Sequence, residues 1–183
     1  MKKPLAMAHD FLAEVLTPDS VVVDATMGQG FDTVFLAKKA GKVYAFDVQK
    51  QALVWTQERL ARENLVANLI HAGHEQVANY VKEKIDGAIF NLGYLPRADK
   101  SLTTQPKTTL LALEQILERL SFGGRISIMV YYGHEGGQRE KDSLLDFVSR
   151  LPQKDFAVMS YQALNQINQP PFLIMIEKLG KAK

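Results

Sequence analysis

The residues best placed to do chemistry lie between Val21 and Thr33, in VVVDATMGQGFDT. A β-branched run ends in the acid Asp24, and Gly28 and Gly30 then form a Gly-x-Gly turn ahead of a helix-like segment. A strand feeding a glycine-rich loop brings main chain against a nucleotide-like ligand, because a side chain there would hold the ligand off and resist positive φ. A dinucleotide fingerprint would place its third glycine where this chain has Thr33. Asp24, at the strand end, can accept hydrogen bonds from a cationic amine, so acid-then-glycines suits S-adenosylmethionine (SAM) better than NAD. An ordinary strand–helix turn is the competing role.

Further candidates follow at the ends of later strands. Asp47, in FDVQ, stands about 17 residues beyond Gly30, near the spacing at which an acid grips ribose hydroxyls, or it is a solvated strand-end aspartate. Gln49 either helps position adenosine or caps the next helix. In HAGHEQ, His74 and Glu75 would face the adenine side of the same cleft, or cap a helix with a surface histidine. His71 and His74 lack a nearby third ligand, so no metal is expected. DGAIFNLGYLP ends a strand with Asn91 and sets Tyr94 three residues later, where many amino-methyltransferases place Asn or Asp, two prolines and an aromatic; here Leu92 and Gly93 replace the prolines. The Asn91 amide oxygen could accept a substrate amine's hydrogen and turn its lone pair toward a methyl group, while Tyr94 stacks on a base. A strand-end turn is the alternative role for Asn91. Tyr131, Tyr132 and His134, in VYYGHEGGQRE, would rim the cleft or merely pack, and His9 on the first helix carries the same ambiguity.

The elements that must position these residues alternate along the chain. Strand patterns cover Ser20–Ala25, Lys42–Asp47, Ala67–His71, Ile85–Asn91, Arg125–Tyr131, Phe156–Gln162 and Phe172–Lys178. Helical patterns cover Pro4–Leu16, Phe31–Ala40, Gln49–Glu63, Glu75–Lys84, Pro106–Ser121 and Gly137–Leu151, with Gly41 and Gly123–Gly124 as stop signals. Continuously apolar strands such as VVVDA and GAIF fit a sheet covered on both faces by helices. The loop Ala163–Pro171 carries no helical pattern, so the last two strands are expected to pair antiparallel. The expected fold is α/β and Rossmann-like, a seven-stranded, mostly parallel sheet with an antiparallel last strand and helices on both faces, the class I SAM-dependent methyltransferase variant.

Composition narrows the chemistry. The 183 residues, 46% hydrophobic and 23% charged, suit one domain over 1–183 with its N-terminal helix (1–16) packing at the cleft. A net charge of +2 confines any nucleic-acid surface to a local patch. Without cysteine there are no disulfides, iron–sulfur clusters or thiolate nucleophiles. No apolar run reaches the length of a membrane span, so a cytoplasmic location is expected.

VDATMGQGFDT, FDVQ, GHE, FNLGYLPRADK, YYGHEGG and finally Asn165 with QPPFLIMIEK resemble, across nearly the whole chain, the small bacterial YtqB/MnmM-type proteins long labelled rRNA methylases. The resemblance implies SAM-dependent methylation of the 5-aminomethyl group of wobble uridine in tRNA, plain or 2-thiolated, with the anticodon stem-loop as partner. It implies a cofactor-binding set of Asp24, Thr26, Met27, Gly28, Gly30, Asp32, Thr33, Asp47, Gln49, His74, Glu75 and Asn91. Asn91, Tyr94 and His134 are the expected catalytic residues, and His9, Leu92, Gly93, Tyr94, Arg97, Tyr131, Tyr132 and His134 the expected substrate contacts. Gln29, Phe31 and Arg97-Ala98 depart from the family pattern.

The chemistry agrees with that implication. Methylating uracil C5 ordinarily needs a cysteine nucleophile, which is missing here, whereas a deprotonated exocyclic amine attacks a sulfonium methyl directly. His134, Glu135 and His9 are candidate proton acceptors, and Lys2, Lys3, Arg97, Lys100, Lys107 and Arg139 candidate phosphate contacts. Methylation of rRNA or of a small amine, and an RNA- or nucleotide-binding module without turnover, are the alternatives; dimerisation is common among such folds, so a homodimer stays open.

Overall fold

Period-two alternation in the central strands decides which residues meet which helix layer. The computed structural model describes residues 1–93, 104–133 and 136–180. Its elements are α1 (Pro4–Ala13), β1 (Val21–Asp24), α2 (Phe31–Ala37), β2 (Lys42–Asp47), α3 (Lys50–Arg62), β3 (Asn68–His71), a 3₁₀ turn (His74–Gln76), α4 (Val77–Tyr80), β4 (Ile85–Leu92), α5 (Pro106–Arg119), β5 (Leu120–Val130), α6 (Gly137–Ser149), β6 (Phe156–Tyr161) and β7 (Phe172–Lys178). Among the described residues the strands form one seven-stranded sheet in the order β3-β2-β1-β4-β5-β7-β6. Every neighbouring pair is parallel except those of β7, which runs antiparallel to both β5 and β6. The expected architecture is therefore the observed one.

Val22, Val43 and Ile89 face one layer and pack on Leu12 and Leu16 from the N-terminal segment and Leu36 of α2. Val23, Phe46, Ala88 and Phe90 face the other and pack with Leu113 and Ile116 of α5 and Leu144 and Val148 of α6. The same alternation puts Asp24 on the face of Val22 and Asn91 on the face of Ile89, both toward α2. That shared face is why the two motifs converge on one helix. α1 lies across β5 and β7, with Ala8 buried against Met129 and Leu173.

Three local expectations are corrected. The helix predicted over Glu75–Lys84 shrinks to the 3₁₀ turn and α4, whose start is held by Gln115 of α5: it accepts from Ala78 N (2.9 Å) and donates to Glu75 O (2.8 Å). Gly123 and Gly124 do not end a helix; α5 stops at Arg119, and they lie in an irregularity of β5, where Ile85 pairs with Leu120 but Gly87 already pairs with Arg125. α2 ends before Gly41, whose lack of a side chain serves close packing, since a Cβ there would lie 2.0 Å from the Pro18 carbonyl oxygen.

Candidate active site

The carboxyl ends of β1, β2, β4 and β5 open into a cleft of about 1040 Å³, also walled by Leu5 and His9 of α1 and by Gln169 and Pro171 ahead of β7. In its floor the glycine loop is held by main-chain groups. Gly28 N donates to Asp47 Oδ2 at 2.9 Å and Gln49 N to Asp47 Oδ1 at 2.8 Å, so one carboxylate ties the loop to the end of β2. Gly28 and Gly30 both have positive φ, 54° and 78°. At Gly30 a Cβ would approach Thr56 Oγ1 to 2.7 Å and its Cα to 2.9 Å, so α3 itself demands glycine. Arg59, also on α3, donates to Gln29 O at 2.9 Å and covers the Phe31 ring at 3.6 Å.

Behind this loop lies a buried acid. Asp24 is 0% exposed, accepting from Thr33 Oγ1 (2.6 Å) and Thr26 N (3.1 Å). Burial first, then the charge of Asp32, pushes its pKa up to about 7. Asp24 and Thr33 do not line the cleft. The direct contact with a cationic amine expected of Asp24 is thus replaced, in this geometry, by a supporting place one layer behind the wall.

His74 is buried rather than a surface cap, at 8% exposed. Its Nδ1 lies 2.9 Å from Ala25 O, and since a carbonyl only accepts, Nδ1 carries the proton. Burial depresses its pKa, so the ring is neutral and Nε2 is a lone-pair acceptor, without a partner among the described residues. Gln49 occupies the N-cap position of α3 but makes no side-chain cap bond and lines the cleft with Glu75 and Asp47. His71 instead lies at the strand surface and donates its Nε2–H to Val48 O (3.0 Å), and no group of three metal-ligating side chains exists among the described residues.

At the β4–β5 end, Asn91 lines the cleft with its N–H donated to Thr26 Oγ1 at 2.7 Å. Its side-chain nitrogen donates to Asp32 Oδ2, whose other oxygen lies 2.6 Å from His9 Nε2. Tyr131, 43% exposed, lines the cleft, and burial, followed by the charge of Asp32, raises its pKa. Tyr132 both lines the cleft and packs edge-on against Phe172, with the Lys141 ammonium 4.4 Å over its ring. Thr26, Met27, Leu92 and Gly93 complete this part of the wall.

The segment 43–177 matches the family model described as "Putative rRNA methylase". This chain belongs to that family. Over 97% of its length the methylase is 34% identical to the chloroplastic tRNA (mnm5s2U34)-methyltransferase of Arabidopsis thaliana, of which it covers 70%. Its fold matches a Streptococcus mutans structure described as a "putative methyltransferase" in complex with SAH, at 57% identity and TM-score 0.94, covering 98% of this chain and 99% of that one. It likewise matches an rRNA methylase from Streptococcus thermophilus at 52% identity and TM-score 0.87, with the same coverage.

Sequence reasoning missed a buried bridge in the methylase. Glu140 of α6, 4% exposed, accepts from Thr104 Oγ1 and Thr109 Oγ1, both at 2.7 Å, and Thr104 Oγ1 accepts from Gly93 N at 3.0 Å. The amino ends of α5 and α6 are thereby fastened to the end of β4. An acid in an otherwise polar helix start gave no signal of this role, nor did Arg59 of its hold on the glycine loop. Tyr94, Arg97, Lys100, His134 and Glu135 lie outside the described residues.

Proposed function

We propose that this chain is a SAM-dependent N-methyltransferase converting the 5-aminomethyl group of wobble uridine in tRNA, with or without 2-thiolation, to 5-methylaminomethyl. The observation that carries the substrate is the likeness, over 97% of the chain, to the Arabidopsis tRNA (mnm5s2U34)-methyltransferase. The cleft fits the cofactor. Gly28 lines the cleft without a side chain, the acceptors of Asp47, Gln49 and Glu75 stand beside it, and the likeness to the SAH-bound Streptococcus mutans structure supports the same occupant. Gly28, Asp47, Gln49, His74 and Glu75 would hold it, with Asp24, Gly30 and Thr33 supporting the loop from behind.

When bound, SAM supplies an electrophilic methyl on sulfonium sulfur, which an amine lone pair takes as the carbon–sulfur bond breaks and its electrons stay on sulfur. The chain's part is positioning and the exclusion of water. Because the Asp32 carboxylate can only accept, the Asn91 amide is oriented with nitrogen toward Asp32 and Oδ1 left for a substrate N–H. In this reading 1–183 acts as one cytoplasmic methyltransferase domain with the anticodon stem-loop as partner. Tyr131 and Tyr132 belong to its acceptor side, Tyr94, Arg97 and His134 are the further substrate contacts that the family resemblance implies, and exposed Lys107 and Arg139, in the first turns of α5 and α6, meet phosphates.

A second reading, an rRNA acceptor, is favoured by the family description and by the Streptococcus thermophilus protein's name. Purified tRNA and rRNA from cells lacking this protein, offered with labelled SAM and digested for nucleoside mass spectrometry, decide between them. The expected product is 5-methylaminomethyluridine or its 2-thio form, in tRNA alone. Label confined to rRNA would overturn the substrate assignment.

A further inference from the structure

The wobble-uridine reading gives the enzyme an alkylammonium substrate, which has no lone pair until a proton leaves. One arrangement in the cleft suits that task. His9 Nε2 lies 2.6 Å from Asp32 Oδ1, and the imidazole stacks on Phe35 with centroids 3.9 Å apart and planes 3° from parallel. Asp32, only 7% exposed, gives its other oxygen to the Asn91 amide nitrogen. A carboxylate accepts only, so Nε2 is the N–H donor to Asp32, and in the neutral form of the ring the lone pair falls on Nδ1. Nδ1 has no partner among the described residues, while the side chain is 27% exposed and lines the cleft with Asn91. Burial of Ala8 and Leu12 fixes α1, and with it the position of the ring.

We propose that His9 is the proton acceptor for the substrate ammonium and that Asp32 is the positioning residue that holds His9 and Asn91 around one nitrogen atom. The N–H bond breaks with its electron pair left on the substrate nitrogen, and the proton forms a new bond to His9 Nδ1. The resulting imidazolium keeps its Nε2–H on the Asp32 carboxylate, as in other acid–imidazole pairs. Its exposed edge then passes the proton to water, and the methylated nitrogen departs as a secondary ammonium. One proton is released per methyl transferred, with no change of oxidation state in any protein group.

Among the described residues the ionisable groups around His9 are Asp32 from α2 and Tyr131 from the end of β5; on its own helix Asp10 is engaged by Lys2. Glu14 at the C-terminal end of α1 is paired with Arg125 of β5, which also holds Glu177 of β7. Asp32 is the one in contact with the imidazole.

The test compares the full-length wild type with His9→Gln and Asp32→Asn. Single-turnover methyl transfer to tRNA bearing 5-aminomethyluridine is followed at saturating SAM from about pH 6 to about pH 9, with SAM affinity by calorimetry. His9→Gln is expected to lose about 10²-fold or more near neutrality, with the loss shrinking as pH rises and partly reversed by added imidazole, while SAM affinity stays within about twofold. Asp32→Asn loses comparably, because a side-chain amide can turn its N–H toward either neighbour. A long-range proton–nitrogen spectrum of the free wild-type protein should show the Nε2–H tautomer of His9, and Asp32→Asn should mix the tautomers. If His9→Gln does not fold, the wild-type tautomer decides. An Nδ1–H tautomer, a wild-type rate in His9→Gln, or a loss equal at every pH overturns the dyad. A wild type that methylates rRNA and never this tRNA overturns the substrate reading and the dyad with it, and is recognisable without any variant.

Discussion

The two halves of the cleft are held by different kinds of bond. Beneath β1 to β3 nearly every tie involves the main chain: Gly28 N and Gln49 N on Asp47, Thr26 N on Asp24, Ala25 O on His74, Gln29 O on Arg59. At β4 and β5 the ties run largely from side chain to side chain across remote segments: His9 to Asp32, Asp32 to Asn91, Thr104 and Thr109 to Glu140. A tie with one main-chain partner survives substitution at that residue, whereas a tie between two side chains fails when either changes. The half proposed for the donor is therefore the more robust, and the half proposed for the acceptor the more tunable.

Substitutions can break that contrast or sharpen it. The largest effect is expected for Asn91→Ala, a fall in kcat of about 10²- to 10³-fold, equivalent to about 3–4 kcal/mol, with SAM affinity little changed. Equal losses in kcat and SAM affinity would mean the halves are not separable. Gly30→Ala should act on the other half, lowering stability by about 2–3 kcal/mol in a thermal melt and weakening SAM binding, because positive φ and the Thr56 backbone both oppose a Cβ. Gly123→Ala is the control: φ is 76° but the space is open, so only about 1 kcal/mol should be lost.

Glu140→Gln comes next, at about 1 kcal/mol for weakened bonds to Thr104 and Thr109. It should appear in the KM for RNA while SAM affinity is unchanged. The finest probe is a proton count. With the Asp24 pKa near 7, a cationic ligand favours its carboxylate, so SAM binding near neutrality should release part of one proton, seen by calorimetry in buffers of different ionisation enthalpy and lost in Asp24→Asn. In the free protein the raised pKa means that the folded chain keeps a proton the unfolded chain has lost. Stability should accordingly fall as pH rises from the ordinary 3.8 toward about 7 and level off above, a decline missing from Asp24→Asn.

The same contrast explains what the sequence disclosed. The seven strands and the antiparallel close were legible because alternation, glycine spacing and an unhelical Ala163–Pro171 are local signals. The glycine loop and its tie to the end of β2 were legible too, since Asp24, Gly28, Gly30 and Asp47 sit in contiguous motifs. Glu140, Thr104 and Arg59 were not, because each acts on a partner brought near only by folding, and an acid or arginine on an amphipathic helix reads as a solvated face. Asp24 shows the limit from the other side: its motif was plain, but its depth behind the wall depends on Thr33 and α2 closing over it. Gln115 is likewise invisible to local signals, since it bonds main-chain groups of Glu75 and Ala78 from a helix remote in sequence.

The reversed direction of β7 has a consequence for how this scaffold can diversify. In an all-parallel sheet the connection leading into the last strand would arrive at the far edge, remote from any bound molecule. Here the hairpin delivers residues 162–171 to the reactive rim, where Gln169 and Pro171 form part of the wall. Insertions between Tyr161 and Phe172 would reshape what the enzyme admits while every strand register from β1 to β5 stays fixed.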